Sequence, residues 1–402
     1  MAFARTVKSP NPAFRNVDVP LASTFLLSAK RGREAWVEPI VERDSYSFRV
    51  RTGLPKDLAA TKSGTMTRAG ATCIMSGTPI NFDLIRAEGK EGRIGNRLMA
   101  TLIDCGKSRT LVSPTVEQEQ AAAAATPSEG PAGDIPEKAL GVRVPLYGID
   151  EYHRLFSPRQ KLAMQTFAEL IRELGDQLAG RQASPEYIAA IRTYLAMAMG
   201  RYADYGSAMT YWDNRGPSIQ KTYCLPTLQM RLGFPETNPF GDFSGNFIGM
   251  VEGVADVIVS SLATRAGVVL QHDAVTVREP LHPVISTDPP YYDNIGYAAL
   301  SDYFYIWLKT ALRDLYPSLL STIVTPKNDE LIAEPGRHGN RKTAMAFFEE
   351  RFGQFAESMR ERVHPALPTT IFYAFKQAES NAGEGVASTG WEVFLQGLVQ
   401  QQ

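Results

Sequence analysis

The rhythm of apolar and polar positions changes several times along this chain, and the changes divide it. In "SYSFRVRTG" (45–53) apolar and polar residues alternate, the period of a half-exposed strand. Turns rich in glycine surround it, and residues 1–115 together predict a small β-rich module. Residues 116–141 are rich in Ala, Pro and Gly and predict a linker, helical at first and then irregular. Residues 142–245 predict a helical segment. Ser157-Pro158 opens one helix with a capping serine and a proline at the first helical position. Leu162, Phe167, Leu170, Ile171 and Leu174 follow at spacings near three and four. Ser184-Pro185 opens a second helix, small and apolar over much of its surface, which predicts burial.

From 246 to 402 helical and β-rich runs alternate. Helices are expected over 247–265, 297–314, 343–363 and 389–400, with β-rich runs over 267–275, 282–287 and 369–375. This alternation predicts an α/β fold with a partial doubly wound sheet. The chain enters the pattern late, because no early strand leads into a Gly-rich turn and helix. The glycines of "DFSGNFIGMVEG" lack the preceding strand that such a fingerprint needs.

Composition changes this picture little. The 402 residues suffice for two or three domains, and a net charge of −1 argues against wholesale binding to nucleic acid while leaving a local basic face open. No run of 18 or more apolar residues occurs, so no membrane span is expected. "MAFARTVKSPNPAF" has no apolar segment of the secretory kind. Cys73, Cys105 and Cys224 are scattered and odd in number, which argues against a disulfide scaffold and for a cytoplasmic protein.

The candidate chemistry lies where the run 282–287 ends in Asp288-Pro289-Pro290-Tyr291. A sheet of this class places ligands at the carboxyl ends of its strands. The Asp288 carboxylate and the Pro289 carbonyl can each accept an N–H of an exocyclic amine. Pro289 and Pro290 hold those acceptors rigidly, and Tyr291 offers a flat face to a base. Two acceptors aimed at a conjugated amine favour a pyramidal nitrogen with an available lone pair, the electrostatic help that methyl transfer to nitrogen needs. The plain alternative is a strand-exit turn.

At these residues the chain resembles the amino-methyltransferases of DNA, and an aspartate at the first position implies the adenine-N6 form. The string "TDPPYYDNIGYAALSDYFYIWL" resembles one branch, the zinc-ribbon-containing adenine-specific DNA methylases, some of which are associated with phage defence. "YGIDEYHRLFSPRQ" (147–160), "YADYGSAMTYWD" (202–213) and "ETNPFG" (236–241) look like that branch's middle segment, and the likeness covers nearly the whole chain. The resemblance implies a Rossmann-like methyltransferase sheet, S-adenosylmethionine as cofactor, and DNA as partner, its target adenine flipped from the stack. It implies that Asp273, in "QHDAV", helps hold the cofactor's adenine; a turn-capping Asp273 is the alternative.

Two departures accompany the match. The family's ribbon opens with Cys-Pro-Asn-Pro-Xaa-Cys, which here reads Ser9-Pro10-Asn11-Pro12-Ala13-Phe14, and its Cys-Xaa-Xaa-Cys reads Cys73-Ile74-Met75-Ser76. A structural zinc site needs four Cys or His donors, and residues 1–115 hold no His, so no zinc is expected and the module must hold by its own packing. The Gly-rich loop that cradles the cofactor is also missing. The expected protein is therefore a methyltransferase segment acting with the upstream-encoded part of the same enzyme, or a catalytically inactive remnant that binds DNA or a partner protein. Asn238-Pro239-Phe240 reads as a structural turn, with a pocket-lining role as the alternative. "RHGNRK" (337–342) reads as a solvated loop or one that contacts phosphate. His272 and His282 read as structural.

Overall fold

The computed structural model describes residues 1–55, 57, 61–104, 106, 108–261, 265–277, 282–293, 295–373 and 389–399. Cys105 and the last two residues of the strand expected over 369–375 lie outside them. The fold is mixed α/β with several small sheets. Two compact units make up the chain: Met1–Ile135 with Arg143–Leu262 and Tyr303–Ile323, and Pro136–Val142 with Ala263–Asp302 and Val324–Gln402. The β-rich residues 1–115 and the helical residues 143–245 both lie in the first unit.

The physical reason is a strand. In the first unit β1 (Ala2–Lys8) pairs antiparallel with β2 (Asp18–Pro20), with β9 (Gly95–Asp104) and with the distant β13 (Gly233–Pro235). Phe3 faces Phe234 in that register, their rings stacked at 5.4 Å. β9 continues to β10 (Arg109–Val112). β1 is buried along most of its length, so its sequence carries no alternation to read. A second sheet joins β3 (Leu26–Ser28), β4 (Ala35–Val41) and β5 (Tyr46–Thr52). In β5, the strand legible from its alternation, Tyr46 and Phe48 are buried and Ser47 and Arg49 exposed. A third joins β6 (Met66–Thr67), β7 (Gly70–Thr72) and β8 (Pro79–Asn81).

The helical expectations in this unit hold closely. Helix α1 (Phe82–Lys90) was not foreseen; α2 (Val116–Ala123) occupies the helical start of the linker, behind a Thr115–Gln118 capping box. Helix α3 (Pro158–Gly180) starts behind Ser157, which forms a capping box with Gln160. Helix α4 (Pro185–Tyr205) starts behind Ser184 and is buried in part: Arg192, Ala196, Ala198, Met199, Tyr202 and Ala203 are buried, while Tyr187, Tyr194 and Met197 are exposed. β11 (Tyr211–Asp213) and β12 (Ser218–Gln220) form a hairpin, and α5 (Phe247–Ser260) ends earlier than the helix expected over 247–265.

In the second unit β14 (Ser286–Thr287) pairs with β15 (Thr370–Ile371), the one parallel pairing among the described residues. Between them run α6 (Tyr297–Leu312), α7 (Pro335–His338) and α8 (Arg341–Arg362), and α9 (Thr389–Val399) follows. Residues of α6 up to Asp302 belong to the second unit and the remainder to the first. The described residues lay out no doubly wound sheet. The strand expected over 267–275 is absent: those residues are irregular or turn, with Val268, Val269 and Leu270 at 82%, 97% and 63% exposure. A run this apolar becomes a strand only when neighbouring strands bury it, and none of the described strands lies beside it. The core of the unit gathers Tyr292, Phe348, Phe352, Phe355, Met359 and Phe394.

Candidate functional site

The parallel pair sets the position of the candidate centre. Thr370 N–H donates to Ile285 O at 3.0 Å and Phe372 N–H to Thr287 O at 2.8 Å. The ladder stops there because Pro289 and Pro290 have no N–H to continue it. Asp288 therefore stands at the carboxyl end of β14. It is exposed and forms no ion pair with another described residue, while Pro289 is buried behind it. Tyr291 is half-buried. Its ring meets Tyr297 at 6.4 Å and Tyr373 at 5.6 Å, both near edge-to-face. Burial, followed by the charges of Tyr291 and Asp288, holds the Tyr297 hydroxyl above its ordinary range. Tyr292 turns into the core against Phe348 at 4.9 Å, and its N–H donates to the Tyr373 hydroxyl at 3.1 Å. Burial pushes its phenol up to about 12. The doublet is thus split: Tyr292 anchors, and Tyr291 stays beside the acid.

An ionic network pins the segment that follows. Glu330 accepts Ala298 N–H at 2.9 Å in the first turn of α6, where a carboxylate suits the helix dipole. Arg337 holds Glu330 at 2.5 Å and Glu334 at 2.5 Å, and Glu334 accepts Leu140 N–H at 2.8 Å. Asp302, fully buried, accepts the Thr325 N–H at 2.7 Å and hydroxyl at 2.6 Å. Lys327 Nζ lies 2.5 Å from its other oxygen, a close ion contact outside hydrogen-bond angles. Arg337 is therefore consumed internally and does not serve a phosphate-contacting "RHGNRK" loop. That stretch is a helical turn, Gly339, and the start of α8, with Arg341 and Lys342 exposed.

Asp273 is engaged elsewhere in the unit. Its Oδ1 accepts Val275 N–H at 3.0 Å, closing a turn, and its Oδ2 meets Arg351 at 2.9 Å. Burial pushes this carboxyl up, but those bonds outweigh it and hold it below the usual range. Both oxygens have protein partners, the arrangement of a turn cap. His272 and His282 are exposed rather than structural.

In the first unit Ser9 and Cys73, from the two stretches set beside zinc knuckles above, come together. The β1–β2 hairpin end carries Ser9 and the β7–β8 end carries Cys73, and Ser9 Oγ lies 3.3 Å from Cys73 Sγ. Burial raises the Cys73 thiol, but hydrogen bonds from Ser76 and Ser9 outweigh it and lower its pKa overall. Gly77 N–H returns to Cys73 O at 2.8 Å with φ +71°, a turn that glycine adopts without strain. Around this pin pack Val7, Val19, Leu21, Ala71, Ile80 and Ile85. Among the described residues no group of three or more His, Cys, Asp or Glu is placed to hold a metal ion, and no helix is long and apolar enough to cross a membrane.

Tyr297, Tyr373 and the Glu330–Arg337 pair were not singled out from the sequence. Tyr297 lies in the quoted string, six residues after Tyr291; Tyr373 reaches Tyr292 across 81 residues, and Glu330 reaches Ala298 across 32. No family model matches the chain, and searches among curated proteins and solved structures find no match.

Proposed function

We propose that this chain carries the base-orienting part of a DNA adenine-N6 methyltransferase. One observation carries the reading: Asp-Pro-Pro-Tyr leaves the carboxyl end of a parallel strand with its acid exposed, free of any described ion-pair partner, and beside a half-buried tyrosine. A flipped adenine would set its amine hydrogens on the Asp288 carboxylate and the Pro289 carbonyl, with Pro290 stiffening the turn and Tyr291 against the ring. The acceptors draw the nitrogen toward a pyramidal shape and offer its lone pair for attack. The buried Tyr292 and the Glu330–Arg337 network fix the flanks of this turn, so that little reorganisation remains at the moment of reaction.

The methyl donor is a different matter. Asp273 has both oxygens committed, and no strand among the described residues runs into a glycine-rich turn and helix. These residues do not fit S-adenosylmethionine. The donor's site belongs, on this reading, to the upstream-encoded part of the enzyme. Exposed Val268, Val269 and Leu270 support it as apolar surface suited to a neighbouring strand.

Transfer of labelled methyl to DNA tests the proposal, with the purified chain alone and mixed with the upstream-encoded protein. Activity is expected only in the mixture and should be lost in Asp288→Ala. An active Asp288→Ala mixture would refute the role of the acid. The second reading, an inactive remnant that binds DNA or a partner, draws on the hydrogen-bonded Ser9–Cys73 pin standing where the resembling family has zinc ligands. DNA binding without methylation in any mixture would favour it.

A further inference from the structure

The first unit holds a cavity of about 420 Å³, within the size range of sites for small organic ligands. Tyr202, Trp212 and Phe243 supply aromatic wall, and strands, α3 and the Asn238-Pro239 turn supply the remainder. The Trp212 indole N–H is spent on Leu27 O at 2.6 Å, which leaves its ring as apolar surface.

The polar groups of the wall divide into those already paired and those that are not. Glu236, the wall's one acid, is paired with Arg159. Arg109 lies 4.6 Å above the Phe243 ring, half-exposed; its Nη2 donates to the Asp242 carbonyl, and its one carboxylate contact among the described residues, to Asp104, is a long 3.8 Å. Gln160 is 5% exposed; its Oε1 accepts Ser157 N–H at 2.9 Å, which assigns the amide oxygen and leaves Nε2 without a partner in the protein. The Thr237 hydroxyl is likewise buried and unpartnered. A buried donor without an acceptor costs about 1–3 kcal/mol. The residues that carry these two atoms line one cavity, beside a guanidinium with no close carboxylate, and an occupant that brings acceptors and negative charge suits them.

We propose that this cavity binds a small aromatic carboxylate, its ring between the aromatic walls and its carboxylate toward Arg109 and the Gln160 amide. The site is independent of the Asp288 reading, since it lies wholly in the first unit.

Calorimetric titration of the whole chain with 2-naphthoate, and with its neutral amide, tests this. One-to-one binding is expected, with the carboxylate tighter by about tenfold or more. Arg109→Gln should erase that difference. Gln160→Glu keeps the acceptor that caps Ser157 and removes the donor, so it should weaken 2-naphthoate by at least about tenfold with the fold intact. Ala163→Phe, which fills the cavity, should abolish binding of both probes. No saturable heat for either probe up to millimolar concentration would overturn the proposal. So would equal affinity for both probes, or undiminished binding by Gln160→Glu, the variant that decides the matter if Ala163→Phe fails to fold.

Discussion

Placing cysteine at three positions, as Ser9→Cys, Phe14→Cys and Ser76→Cys together, should convert the joined hairpin ends into a zinc site. Tetrahedral zinc with Zn–S bonds of about 2.3 Å sets its sulfurs about 3.8 Å apart. Ser9 Oγ and Cys73 Sγ already stand 3.3 Å apart, so a longer thiol at position 9 reaches ligand spacing with a shift of a few tenths of an ångström. The turn closed by Gly77 N–H on Cys73 O presents position 76 to the same thiol, since Ser76 hydrogen-bonds to it. Asn11 caps the short helical turn Pro12–Phe14 by accepting Ala13 N–H, which fixes the backbone of position 14. With free zinc at about a thousand times Kd, the folded state gains about 4 kcal/mol. Cobalt titration reads the site through the ligand-field bands of a tetrahedral thiolate complex, and thermal melts with and without zinc read the stabilisation. Uptake should fall at low pH, because the thiols must lose their protons to bind. The unaltered chain, with Cys73 alone, should show no tight one-to-one uptake. A triple variant that folds by circular dichroism yet binds no metal stoichiometrically would refute the reasoning that these hairpin ends are spaced for a tetrahedral thiolate site. So would equal uptake by Ser9→Cys alone.

Lys327→Met strands the fully buried Asp302 and should cost about 3–5 kcal/mol in urea denaturation followed by circular dichroism. Asp302→Asn should cost clearly less, because it keeps an acceptor for Thr325 and leaves a lysine long enough to reach water; equal costs would contradict this asymmetry. His153 is buried 3.3 Å from Glu151 without hydrogen-bond geometry, and burial holds its pKa below the ordinary value of 6.5. A lowered folded pKa means that the unfolded chain binds the proton first, so this contribution is full above pH 6.5 and is lost as pH falls through the folded value. His153→Gln should flatten stability against pH below 6.5 in denaturation series, and an unchanged slope would refute the assignment.

Much of the local structure was legible because its causes are local. Ser157-Pro158 and Ser184-Pro185 start helices wherever the chain places them, since a capping hydroxyl and a proline at the first position act within one turn. Pro289 and Pro290 end a strand for the same kind of reason. Tertiary structure decided what depends on distant partners. Val268, Val269 and Leu270 stay exposed and out of any described sheet, and the second oxygen of the turn-capping Asp273 is taken because Arg351 meets it across 78 residues. Tyr291 and Tyr292 are identical as letters, yet packing against Phe348 turns one into an anchor and leaves the other beside Asp288. Ser9 and Cys73, 64 residues apart, share a hydrogen bond because two hairpins meet there. Sequence fixes propensities over a few residues; which faces are buried, and which acids find cations, follows from contacts made only when the chain has closed on itself.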